Sequence, residues 1–168
     1  MKEFGYFSFR LASSSPESRL VYSLFLVFAA GGLLTNGILQ FQRIGFGYDR
    51  IVAYYLGGEI NGQVFFPKNF AVLLETAHFH TFVVGITFLI LSHLFIATSV
   101  RRGVKYLTIL LTFFSSILDI GSVWLIRYLS PIFAYSLMAA WIGMWLGYVT
   151  MIFTALYEMW LCGVPNSK

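Results

Sequence analysis

Four long apolar runs, separated by short polar breaks, dominate the hydrophobic pattern of this chain. They cover about residues 20–41, 67–100, 104–129 and 131–162, and each reaches the ~20 residues that a helix needs to cross a bilayer. The predicted fold is therefore all-α, a membrane four-helix bundle in a single domain. The breaks carry helix punctuation. Ser13–Glu17 (SSSPE) is a turn or helix-start signal ahead of the first run. Pro67 stands at a favourable first helical position, Arg101-Arg102-Gly103 ends the second run, and Ser130-Pro131 turns the chain into the fourth. The one long connection, residues 42–66, contains DRIVAYYL from Asp49 to Leu56. It is expected to form a short amphipathic helix capped by Asp49, closed by Gly57-Gly58 and resting its aromatic residues at the membrane interface. A cleaved signal at Phe28-Ala29-Ala30 is conceivable, but the apolar stretch runs on to Phe41, so the first span is expected to stay uncleaved.

Composition strengthens this picture. The chain is 58% hydrophobic and 11% charged, against about 25% charged in soluble domains. Its net charge of +4 does not point to nucleic acid, because the basic residues fall in the gaps between apolar runs. Lys2, Arg10, Arg19, Arg101, Arg102, Lys105 and Lys168 fall on one side, and Arg43, Arg50, Lys68 and Arg127 on the other. That bias predicts a multi-pass protein of a bacterial-type inner membrane with both termini cytoplasmic. The single cysteine, Cys162, excludes an internal disulfide, a Cys-rich metal site and C-x-x-C-H haem attachment.

The candidate chemistry lies in the second run, which holds Glu75 and all three histidines, His78, His80 and His93. Ionisable groups at membrane depth are costly and are functional candidates by default. Glu75 and His78, three apart, share a helix face that continues through Gly85, Ser92 and His93, while His80 points nearly the opposite way. Taking Gly85 as the centre, His78 lies about 10 Å toward the outer side and His93 about 12 Å toward the inner side at ~1.5 Å per residue. Alternating span directions bring Asn36 and Gln40 of the first run and Asp119 of the third to the depth of His78. Asn36, Gln40, Glu75, His78 and Asp119 are thus expected to form an outer polar cluster, and Ser92, His93 and Glu158 a smaller inner set. Gly32, Asn36 and Gln40, and likewise Ala139, Gly143 and Gly147, recur every four residues as stripes for close helix contact. Trp141, Trp145, Tyr148 and Trp160 read as volume-filling side chains, and Arg127 as a residue reaching the outer interface.

Three chemistries suit these residues. His78 and His93, fifteen apart on one face, resemble the paired histidines of membrane b-type cytochromes, which are typically fourteen apart in one helix. That resemblance, confined to one helix, implies haem b with His78 and His93 as metal ligands, and His80 serving a neighbouring subunit's haem. Because the other runs contain no histidine, each iron would have a methionine, an open position or a ligand from another chain as its second site. Glu75, His78 and Asp119 equally suit proton exchange with a quinol. Glu75-Thr-Ala-His78 also has the E-x-x-H spacing of di-iron bundles, in a single copy, and with Asp119 offers three ligands to one zinc or copper. The leading expectation is a small subunit of a membrane electron-transfer complex, in contact with lipid and other subunits. Alternatives are a non-catalytic anchor whose polar groups fix helix register, or a small proton- or metal-coupled transporter. Interhelical polar contacts in membranes average about 0.6 kcal/mol, whereas a charged residue at the helix centre costs about 2.5–3.5 kcal/mol on the insertion scale. That imbalance favours a functional reading.

Overall fold

The computed structural model describes residues 10–162. Lys2 and Lys168, two of the basic residues counted toward the orientation, lie outside the described residues. Four membrane-length helices are present: α1 (Pro16–Arg43), α3 (Phe70–Ile96), α4 (Arg102–Tyr128) and α5 (Ala134–Trp160), with a short α2 (Tyr48–Leu56) between the first two. The all-α four-helix bundle read from the sequence is thus the observed fold.

Local chemistry sets the helix ends. Ser15 caps α1, its hydroxyl accepting from the Ser18 amide at 3.3 Å with Pro16 behind it. At α3, Asn69 displaces Pro67 as the start signal, because its Oδ1 accepts the Val72 amide at 2.9 Å. Pro67 instead packs on Gly57, at positive φ, where a Cβ would meet the proline ring at 2.8 Å. Gly47, not Asp49, occupies the N-cap of α2, and Asp49 sits in its first turn. The connection also contains an antiparallel hairpin, β1 (Gly58–Ile60) and β2 (Gln63–Phe65), that the helical reading omits. Its Asn61-Gly62 turn places both residues at positive φ, the conformation for which Asn-Gly is favoured in two-residue hairpins.

The helices assemble unevenly. α4 and α5 pack along their length. Gly143 and Gly147 lie against Ser115 and Thr112 of α4, so closely that any Cβ on either glycine would collide with the facing hydroxyl. Ala139, the third member of that stripe, is exposed. α3 packs on both α4 and α5, and α1 reaches the bundle through α5. Two apolar clusters close the ends. At one, Leu26 of α1, Leu91, Leu94 and Phe95 of α3 and Met151, Ile152 and Ala155 of α5 surround Leu11. At the other, Ile51 and Tyr55 of α2 pack on Leu73, Ile126, Leu137 and Trp141. Arg127, expected at the outer interface, is half-buried there and ties α4 to the start of α3, its Nε donating to the Lys68 carbonyl at 2.8 Å.

Candidate functional site: a side cavity between α1 and α3

Between the two end clusters lies a partly open cavity of about 740 Å³. That volume falls within the range of small-molecule sites, roughly 300–1,000 Å³. α1 lines it over about 27 Å of helix, from Phe25 to Arg43. α3 stands across it, and Asp119, Trp141, Trp145 and Tyr148 form the back wall. The lining is mainly apolar, with a few polar groups converging on one half.

The inward face of α3 is the stripe Leu73, Ala77, His80, Val84, Thr87 and Leu91, alternating four- and three-residue steps that keep one side of a helix toward its neighbours. His80 is at its centre. This reverses the expected orientation: Glu75, His78 and His93 are exposed, and His80 is the histidine that lines the cavity. The reason is steric. Leu73, Leu91, Leu94 and Phe95 are at most 7% exposed, and turning Glu75 and His78 inward would expel them.

The outer cluster forms with a changed membership. Asn36, Gln40 and Asp119 line the cavity as expected, with His80 in place of Glu75 and His78. The His80 imidazole is within electrostatic reach of the Asp119 carboxylate. Asp119 is held from behind by Trp141, whose indole Nε1–H donates to Oδ1 at 2.9 Å. Trp141 therefore positions the acid, a role its reading as packing volume missed. Ser115 and Ser122 share the Asp119 face but serve the helix interface, Ser122 bonding Ser136 at 2.7 Å. The Gly32–Asn36–Gln40 stripe faces the cavity and not a packed helix; a Cβ on Gly32 would meet nothing within 4 Å.

At the α2 end the cavity is rimmed by Arg43, Lys68, Tyr54 and Tyr55. Lys68 places its ammonium 4.0 Å from the centre of the Tyr54 ring, a cation–π contact. Burial pushes the Tyr55 phenol well above its ordinary range, reinforced by Tyr54 and by the Asp119 charge. Tyr55 is thus a neutral hydrogen-bonding group at this rim.

The expected inner set does not converge. His93 is exposed, with Nδ1 3.2 Å from the Leu89 carbonyl, while Ser92 is buried. Glu158, 3% exposed, is engaged elsewhere, since its Oε2 accepts the Ser99 amide at 2.6 Å and the Ser99 hydroxyl at 2.9 Å. Lys105 donates to the Ile96 and Thr98 carbonyls at 2.7 and 2.6 Å, covering the C-terminus of α3. Together they pin the α3–α4 turn. Among the described residues, no group of three or more His, Cys, Asp or Glu side chains is placed to hold a metal ion, so the zinc or copper set of Glu75, His78 and Asp119 is not assembled. No curated protein and no solved structure matches the chain. Residues 45–166 match a family described as a transmembrane helical domain, and the chain belongs to that family, Aq_1264_TM, as a multi-pass membrane protein.

Proposed function

We propose that this protein is a membrane subunit of an electron-transfer complex, and that it binds a quinone or quinol in the side cavity and exchanges protons with it through His80 and Asp119. One observation carries the reading: an imidazole and a carboxylate, within electrostatic reach of each other, line one mainly apolar cavity shared by α1 and α3. A quinol has an apolar tail suited to the lining and a polar head suited to that pair. On oxidation it releases two protons and two electrons. His80 and Asp119 take the protons, an imidazole nitrogen and a carboxylate oxygen each being able to accept one. The electrons go to a redox centre of a partner subunit. Tyr54, Tyr55 and Lys68 supply donors at the rim. Haem b is the lesser reading, because the cavity offers it one axial nitrogen, that of His80, while His78 and His93 face outward. Arg10, Arg19, Arg101, Arg102 and Lys105 at one end of the bundle, against Arg43, Arg50, Lys68 and Arg127 at the other, support a bacterial-type inner-membrane orientation with the first end cytoplasmic.

Trp141 and Trp145 line the cavity and report its occupancy. Titrating the detergent-solubilised protein with a short-chain quinone is expected to quench indole fluorescence saturably, and His80→Ala to weaken binding about tenfold, the loss of one hydrogen bond to a charged or strongly polar group. Quenching that is linear in quinone, or unchanged in His80→Ala, would overturn the assignment.

A further inference from the structure

The cavity has a second polar end, away from the His80–Asp119 pair. Arg43 at the end of α1 and Lys68 just before α3 both line it. Neither is paired with an acid among the described residues, and Asp49 and Glu59, the acids of the α2 connection, are exposed. The backbone fixes Lys68 in place: its amide donates to the Tyr55 carbonyl at 3.1 Å, and its carbonyl accepts from Arg127 at 2.8 Å. Its ammonium rests on the Tyr54 ring, 4.0 Å from the centre. A ring face takes up none of the three N–H donors as a hydrogen-bond acceptor would, so they stay open to an anion. Tyr55 completes the set. It is 8% exposed and lines the cavity, and its hydroxyl has no hydrogen-bond partner among the described residues. Polar groups buried that deeply are ordinarily bonded, so this one calls for an acceptor from outside the chain. His80 stands about 15 Å along α3 from Phe70, at the start of the helix, which separates this end from the acid–base pair.

We propose that this end binds the anionic headgroup of a membrane lipid whose acyl chain lies along the apolar lining. Guanidinium and ammonium groups take phosphate oxygens in charge-assisted hydrogen bonds, and Tyr55 adds a neutral donor. A zwitterionic head brings its own cation against Arg43 and Lys68, so the pair selects a head of net negative charge. Interfacial cations ordinarily reach out to the headgroup layer. These two line a cavity that is apolar beyond them, which selects an amphiphile over a free anion. The lining follows α1 for about 27 Å, ample for a chain of one leaflet, whose hydrocarbon is about 15 Å deep, half of the ~30 Å core. The site shares the cavity with the quinol reading but neither of its proton-handling groups, so either can fail alone.

Trp141 and Trp145 line the same cavity and supply the signal. The protein in an uncharged detergent is titrated with dihexanoyl phosphatidylglycerol, with dihexanoyl phosphatidylcholine, which has the same chains, and with inorganic phosphate. The anionic lipid is expected to bind about tenfold more tightly than the zwitterionic one, the worth of one charge-assisted contact. Arg43→Gln combined with Lys68→Gln should abolish that preference, and Tyr55→Phe should weaken both lipids about fivefold by removing one hydrogen bond. His80→Ala should keep the preference, whatever it does to quinone binding. Equal affinity for the two lipids, or a preference that survives in the Arg43→Gln, Lys68→Gln protein, would overturn the proposal. Inorganic phosphate binding as tightly as the anionic lipid would assign a free anion in its place and overturn it too.

Discussion

α1 and α5 are both rich in small residues, and they use them in opposite ways. On α5, Gly143 and Gly147 are buried beneath Ser115 and Thr112 of α4. The Thr112 hydroxyl beneath Gly147 is satisfied within its own helix, by the Thr108 carbonyl at 2.7 Å. Gly147 can therefore lie against it without stranding that hydroxyl. On α1, Gly31 and Gly32 have open space where a side chain would stand. Of the most apolar stretch of each helix, 44% is buried for the last span and 6% for α1. A small residue in a membrane helix thus marks a contact or a gap, and only the opposing helix decides which. One side of this bundle is built to exclude everything, and the other holds a space open. Gly37 is the exception on α1, since a Cβ there would meet the Trp145 ring at 2.6 Å.

The sharpest way to break this comparison is Gly147→Leu. The side chain has nowhere to go, because the first added carbon collides with Thr112. Separating α4 from α5 is expected to cost about 3 kcal/mol or more, the upper range for overpacking, read as lower resistance to SDS unfolding followed by circular dichroism. A loss below about 1 kcal/mol would mean that the helices are not in close contact. Next in size is Glu158→Ala, which removes the acceptor of two Ser99 hydrogen bonds in a site 3% exposed. A hydrogen bond to a charged acceptor is worth about 1.5–3 kcal/mol. The effect should be local, with faster hydrogen exchange in the turn between Ala97 and Arg101 and little change within α4. Uniformly faster exchange over all helices would mean that Glu158 supports the whole bundle.

The same ambiguity decides how much of the molecule is legible in its sequence. The four spans, the α2 helix and the α5 glycines are legible because hydropathy, turn residues and small-residue spacing are local signals. The facing of α3 is not. In lipid both sides of a helix are apolar, so periodicity does not mark the inward side, and polar residues lie on two opposing stripes: Glu75, His78 and His93 on one, Thr76, His80 and Thr87 on the other. Counting ionisable groups favours the first. The packing of Leu73, Leu91 and Leu94 selects the second. A leucine stripe that also carries Ala77 and His80 at heptad spacing is the available signal. The Asn61-Gly62 turn is likewise present as a hairpin mark. Trp141 as the partner of Asp119 has no local signal, because the two lie on different helices.

The smallest expected effect on stability belongs to the mirror image of the first substitution, Gly32→Leu. Gly32 lines the cavity, and nothing stands within 4 Å of its absent Cβ. A leucine there loses no packing, and glycine is the poorer helix former by about 0.8–1.0 kcal/mol. Resistance to unfolding should therefore stay within about 0.5 kcal/mol of the parent or rise slightly. The added side chain instead extends into the space that the quinone would occupy, one turn from Asn36 on the same face. Short-chain quinone binding should fall about tenfold, a loss of about 1.4 kcal/mol, with the fold intact. Gly147→Leu would show the reverse order, with stability lost first and binding only through it. If Gly32→Leu destabilised the protein as much as Gly147→Leu does, the gap would be closed in the membrane by α1 moving inward, and His80 and Asp119 would have no ligand to share.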